Sequence, residues 1–321
     1  MSTFVRRVAA TLLRSSTVSR AVRALAHVRG HRLVLVYHRV GPPAPSGCEV
    51  VPSVPVEVFR AQLQALCEVV DLVTIDEVIA FDRSRSAHRT RPAVALTFDD
   101  DLPSHAEYAV PILREVGVPA AFFLSGRVLH GLGPYWFQQL EALLIAYGER
   151  RTAALLHVPE ARAGSLAHTC ERRGDLRHRV SELAAGLSTA AILQRDALGA
   201  FVAAGMTVGF HTVDHDVLTD LDDAALESAV LRGRADLAAA TGAAVHYFAY
   251  PHGKADMRAA MAVRRAGFSA AFTGRAQPVR EGTDLFHLGR WEPGPIGVDD
   301  LLLTMAVRFH RAAPPSPLRS S

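Results

Sequence analysis

At 321 residues, with 49% hydrophobic and 21% charged side chains, the chain can bury one sizeable core, as a single α/β barrel or two smaller domains. Its net charge of +3 and isoelectric point near 9.0 come from arginines scattered along the chain rather than gathered into a stripe, so no nucleic-acid partner is expected. Three cysteines, Cys48, Cys67 and Cys170, have no paired spacing, which argues against a disulfide framework or a zinc knuckle.

Residues 1–30 place Arg6, Arg7, Arg14, Arg20, Arg23 and Arg29 among short apolar clusters, without the unbroken apolar core of a signal peptide. A basic helical segment packed against the body is expected, with peripheral contact to an anionic membrane surface as the alternative. No other stretch has the roughly 20 apolar residues that span a bilayer, so the expected location is cytoplasmic, with membrane association only through this segment.

From residue 31 onward, apolar β-branched runs alternate with helix-patterned stretches. Strands are predicted at 33–37, 70–75, 93–98 and 119–124, and, after an interruption, at 206–210, 245–250, 268–273 and 285–289. Helices are predicted from Pro55 to Val70, Ala109 to Val116 and Asp222 to Thr241, the last two stopping at Gly117 and Gly242. This repeat over residues 31–310 predicts a parallel (β/α) barrel of about seven strands. The interruption, about 130–196, is too long for a βα loop and contains WFQQLEALLIAYG at helical spacing, so a helical insertion at the barrel mouth is expected. The proline-rich stretches 41–47 and 311–321 predict no regular structure.

Catalytic groups of βα barrels gather where strands end at the C-terminal mouth. Here His38 follows the first strand, and Asp99, Asp100 and Asp101 follow the strand at 93–98. His211 and His215 follow the strand at 206–210, and Pro251, His252 and Gly253 follow the one at 245–250. Two histidines four residues apart can project from one face of a helical turn. One carboxylate from a neighbouring strand end then completes a three-ligand metal site with a position open for water. Such a metal polarises an acyl carbonyl and acidifies its water, while a second carboxylate accepts the proton. Consecutive residues at a strand end point in different directions, so adjacent aspartates can divide the two roles; spacing does not say which takes which. Taken singly, His105 and His252 read as polar loop residues.

TFDD at 97–100, HTVDH at 211–215 and FAYPHG at 248–253 resemble, in order and separation, three motifs of the polysaccharide deacetylases, the NodB-like carbohydrate esterases. YHRV at 37–40, the stretch 109–126 and LGRW at 288–291 extend the resemblance from about Leu33 to Trp291, the insertion excepted. It implies a distorted (β/α) barrel with one divalent metal ion, usually Zn2+, and an N-acetylated sugar or polysaccharide as substrate. By motif position it implies Asp99 as general base, Asp100, His211 and His215 as metal ligands, and Arg290 as the group orienting the base. Tyr250, Pro251 and His252 would form one wall of the sugar groove.

The chain departs from the family pattern at three places. Asp101 stands where glycine is usual, His252 stands where tyrosine is usual, and LGRW lacks the late-strand histidine that serves as catalytic acid. His38 is the expected replacement, because the first and last strands of a closed barrel are neighbours. His287 is the weaker candidate, one strand position out of phase with Leu288 and Arg290. The expected reaction is removal of an N-acetyl group from an amino sugar in a polysaccharide or glycoconjugate. A deformylase or O-acetyl esterase on a related sugar would share the chemistry. A non-catalytic sugar-binding relative is opposed by the intact Asp99, Asp100, His211 and His215.

Overall fold

The computed structural model describes residues 32–45, 48–80, 91–159, 162–187 and 191–310; the segment 1–30 and the tail 311–321 of the sequence analysis lie outside them. Nine strands occur among the described residues: β1 (Arg32–Tyr37), β2 (Arg39–Val40), β3 (Ser53–Val54), β4 (Asp71–Leu72), β5 (Ala93–Asp99), β6 (Ala121–Leu124), β7 (Thr207–Phe210), β8 (Tyr247–Ala249) and β9 (Ala270–Phe272). β2 and β3 pair with each other, and the remaining seven form one parallel sheet in the order β1-β5-β6-β7-β8-β9, with β4 beside the start of β5. Leu288 bridges to Phe272 of β9 and Trp291 to Leu35 of β1, so an irregular segment closes the ring. The fold is a distorted parallel (β/α) barrel.

The two-residue period of the strands explains its two cores. Val34, Ala95, Ala121, Phe123, Ala249 and Phe272 fill the inside, where small residues leave room for two aromatic rings. Leu35, Leu96, Phe98, Phe122 and Phe248 point outward onto the surrounding helices. Gly209 is an inward position of β7; a side chain there would come within 2.4 Å of the Phe123 ring. His38, Asp99, His211 and Arg290 each lie an even number of residues beyond inward positions of their segments. The same alternation therefore aims all four into the mouth.

Three predicted elements differ from what forms. The strand at 70–75 shrinks to β4, because Thr74 and Glu77 make a reciprocal capping box that starts helix α2 (Ile75–Ile79). No regular strand forms at 285–289, where Asp284 accepts from Phe286 N at 3.1 Å and pairs with His287 Nδ1 at 2.8 Å, folding the chain into a local turn. The helix predicted from Asp222 to Thr241 is two helices, Asp223–Leu231 and Arg234–Thr241, divided at Gly233 with φ +85°. A Cβ on Gly233 would stand 2.4 Å from Val213 Cγ2 and 2.9 Å from His130 Nε2, so the break lets the helices pass the loop that carries the histidines.

The helix predicted from Pro55 forms as α1 (Val56–Val69). The one predicted from Ala109 forms as α3 (Val110–Val116), preceded by a wide turn at His105–Ala109 with i→i+5 bonding. Pro111 removes an amide and crowds the carbonyl four residues back, which widens that turn. Between β6 and β7 lie helices α4 (Trp136–Leu156, kinked at Gly148), α5 (Ala163–Arg172) and α6 (Gly174–Ala184), around their own cluster of Leu140, Leu143, Leu166 and Val180. No helix among the described residues is long and apolar enough to cross a membrane.

Candidate functional site

The inward phase of the strand ends brings together residues distant in sequence. Asp99, Asp100, His211, His215 and Arg290 are all 8% exposed or less. One ligand atom each from Asp100, His211 and His215 lies within 4.8 Å of the other two. Asp100 Oδ1 is 3.3 Å from His215 Nε2 and 3.6 Å from His211 Nε2, yet this buried oxygen has no hydrogen-bond partner. His211 Nδ1 lies 2.8 Å from Ala249 O; donating that proton leaves the lone pair of Nε2 facing the cluster. His215 does not project from a helical turn as the four-residue spacing suggested. Thr212 and His215 have φ of 59° and 57°, and the intervening chain is a loop. Asp100 (φ 74°) and His252 (φ 57°) share this left-handed conformation, a strain of order 1 kcal/mol or more at each non-glycine position.

Electrostatics separate the neighbouring aspartates. Burial alone would raise the Asp99 carboxyl, but the Arg290 guanidinium and His211 hold it down to about 2. Arg290 grips both oxygens at 2.6 Å, is itself steadied by Thr97 Oγ1 at 3.3 Å and Thr273 O at 3.4 Å, and lies over the Phe123 ring. Asp100 has no such cation. Burial and the charges of Asp99 and Asp101 push it up to about 7, against the pull of His38. Burial depresses His211 to about 4 and His215 well below its ordinary value, so both rings are neutral donors at neutral pH. A buried carboxylate oxygen without a partner, flanked by two neutral imidazoles, fits a divalent cation.

Asp101 turns away from this cluster. Its carboxylate accepts from Ser125 N at 2.7 Å, Ser125 Oγ at 2.5 Å and Arg127 N at 3.2 Å, fastening the end of β5 to the loop after β6. His38 lines the cavity with Asp99 and Asp100, and its Nδ1 is 2.9 Å from Glu292 Oε1. Burial disfavours the charged His38 ring, but the hydrogen bond and charge of Glu292, with Asp100 and Asp99 nearby, raise it to about 9. His287 is not among the cavity's lining residues, and its ring is engaged by Asp284.

The predicted sugar wall is divided. His252 lines the cavity, its ring centroid 4.6 Å from that of His215. Tyr250 does not line it: two residues on from outward-facing Phe248, it is fully buried against that ring and donates its hydroxyl to Phe286 O at 3.0 Å. Pro251 is buried at the start of the turn and also stays out of the lining. Three contributors escaped the sequence reading. Glu292 and Glu171 carried no motif, and His105, read as a loop residue, is completely buried between Phe98 and Phe122. Its Nε2 lies 2.7 Å from His38 O.

No curated protein matches the chain. Similar solved structures include a deacetylase, PplD, of Streptococcus pyogenes in complex with acetate, 18% identical, with a TM-score of 0.61 over 86% of this chain and 98% of that one. IcaB of Ammonifex degensii is 24% identical, with a TM-score of 0.59 over 87% and 97% of the two chains. A de-N-acetylase of Aggregatibacter actinomycetemcomitans is 15% identical, with a TM-score of 0.54 over 81% and 94%. At these identities the likeness is one of fold. The polysaccharide deacetylase profile matches residues 86–271, a span that holds the three metal-compatible side chains and Asp99. With more than half its length matched, the chain belongs to the polysaccharide deacetylase family.

Proposed function

We propose that the chain is a divalent-metal-dependent hydrolase that removes an N-acetyl group from an amino sugar of a polysaccharide or glycoconjugate. The observation that carries this reading is the convergence of Asp100, His211 and His215 beside the Asp99–Arg290 pair. Two imidazoles and a carboxylate, with no thiolate among them, suit zinc. Bound there, the ion would polarise the acyl carbonyl and acidify the attacking water.

The chain's own groups supply the proton transfers. Asp99, kept ionised by Arg290, accepts the proton of the water, and Arg290 fixes the direction of its free lone pairs. His38, held at Nδ1 by Glu292, presents its other ring nitrogen to the leaving group. A proton donor placed apart from the base suits an amine, which leaves poorly unless protonated, and favours the amide over the ester substrate. His252 forms part of the wall that receives the sugar.

The direct test is acetate release from N-acetylglucosamine oligomers by zinc-loaded protein. Release that stops with a chelator and returns with zinc supports the reading. No release from any oligomer by the loaded protein would overturn it.

A further inference from the structure

Among the described residues, two carboxylates help fasten the helices between β6 and β7 to the barrel. Glu141 of α4, 8% exposed, pairs with Arg39 Nη1 at 2.6 Å and accepts from Val50 N at 3.1 Å, both on the chain that follows β1. Glu171 of α5 pairs with His252 Nδ1 at 3.1 Å and accepts from Lys254 Nζ at 2.9 Å, both in the turn after β8. β1 and β8 lie on opposite sides of β6 and β7 in the strand order, so the two carboxylates hold α4 and α5 across the mouth.

Beneath them is a cavity of about 580 Å³. The metal-compatible cluster and Arg290 form its floor, and Trp136, Phe137, Gly164 and Ala167 face them from the inserted helices. That volume lies within the roughly 300–1,000 Å³ of pockets that enclose a drug-sized ligand. A long polymer lying across the mouth needs an exit at both ends of its groove. The Glu171 contacts tie α5 to the β8 turn beside His215, where one such exit would run. His252, in place of the family's usual tyrosine, supplies the ring nitrogen that Glu171 engages.

We infer that Glu171 is a specificity-determining residue: by holding α5 onto the β8 turn it restricts the site to short saccharides or to the end of a chain. The inference rests on the deacetylase reading of the same site. The Lys254 side chain is 52% exposed and that of Glu171 24%, so opening this contact costs little stability and changes the shape of the site rather than the fold.

The test is kcat/KM of the zinc-loaded protein on N-acetylglucosamine oligomers of two to six units. In the parent, kcat/KM should level off or fall with length. Glu171→Ala should raise the hexamer-to-dimer ratio by about fivefold. Lys254→Met, which opens the same contact from its exposed side, should shift the ratio in the same direction. A parent whose kcat/KM climbs steadily to the hexamer, or folded, metal-loaded variants with the parent's ratio, would overturn the inference while leaving the deacetylase reading intact. No acetate release by the parent from any oligomer would remove both.

Discussion

The barrel mouth and the helices folded across it are built in different ways. At the mouth, Asp99, Asp100, His211 and His215 end or follow strands and face inward at positions 8% exposed or less, with the more accessible His38 beside them. Several backbone positions are left-handed, and Asp100 Oδ1 has no partner. The helices α4 to α6 have an apolar cluster of their own and reach the barrel through carboxylate pairs such as Glu141–Arg39 and Glu171–Lys254. The groups at the mouth are thus set by the sheet register and the short loops that follow it, while part of the cavity wall sits on a separately cored element. Substitutions on the two sides are therefore expected to change turnover and substrate choice to different degrees.

The largest effect is expected at the sheet side of this division. Asp99→Asn should keep its metal but lose activity by roughly 10²–10⁴-fold if Asp99 accepts the water's proton as proposed. Equal turnover in parent and variant, measured as acetate release, would take that role from Asp99. Next comes His38→Ala, expected to retain fold and metal and to lose about 10²-fold on the amide. The loss should be smaller on an ester whose leaving group needs less protonation; equal losses on both substrates would remove His38 as the acid.

The smallest effect on chemistry should come from the helical side. Leu143, fully buried in the α4–α6 cluster, can be cut to Ala at a cost of about 2–5 kcal/mol in stability. Zinc affinity in the folded protein should not change, which a competition titration with a chromophoric chelator measures. A large drop in affinity would show instead that the helices help to build the metal-compatible cluster.

How much could be read in the sequence follows the same division. The strand phase was legible because apolar alternation is local, and it carried His38, Asp99 and His211 to the mouth together, whereas Arg290, on the irregular closing segment, was legible only through its motif. Asp100 and His215 were legible through short motifs, although the loop geometry at Thr212 and His215 was not, since positive φ in non-glycine residues leaves little trace in sequence. Tyr250 was placed on the sugar wall by motif position, yet its phase with Phe248 already pointed it outward. Glu292 and Glu171 could not be found, because their partners lie 254 and 81 to 83 positions away and no period links them. His105 was hidden by its type: a histidine next to a predicted helix start gives no sign that it will be buried between two phenylalanines.

The proposed chemistry requires Asp100, His211 and His215 to hold a divalent metal without which the sugar is not deacetylated. Metal content by elemental analysis, on parent and His211→Ala purified side by side after zinc loading, tests it most directly. The parent should carry one zinc per chain. The variant should be nearly empty and inactive, with unchanged far-ultraviolet circular dichroism. A folded variant as fully loaded as the parent would contradict it.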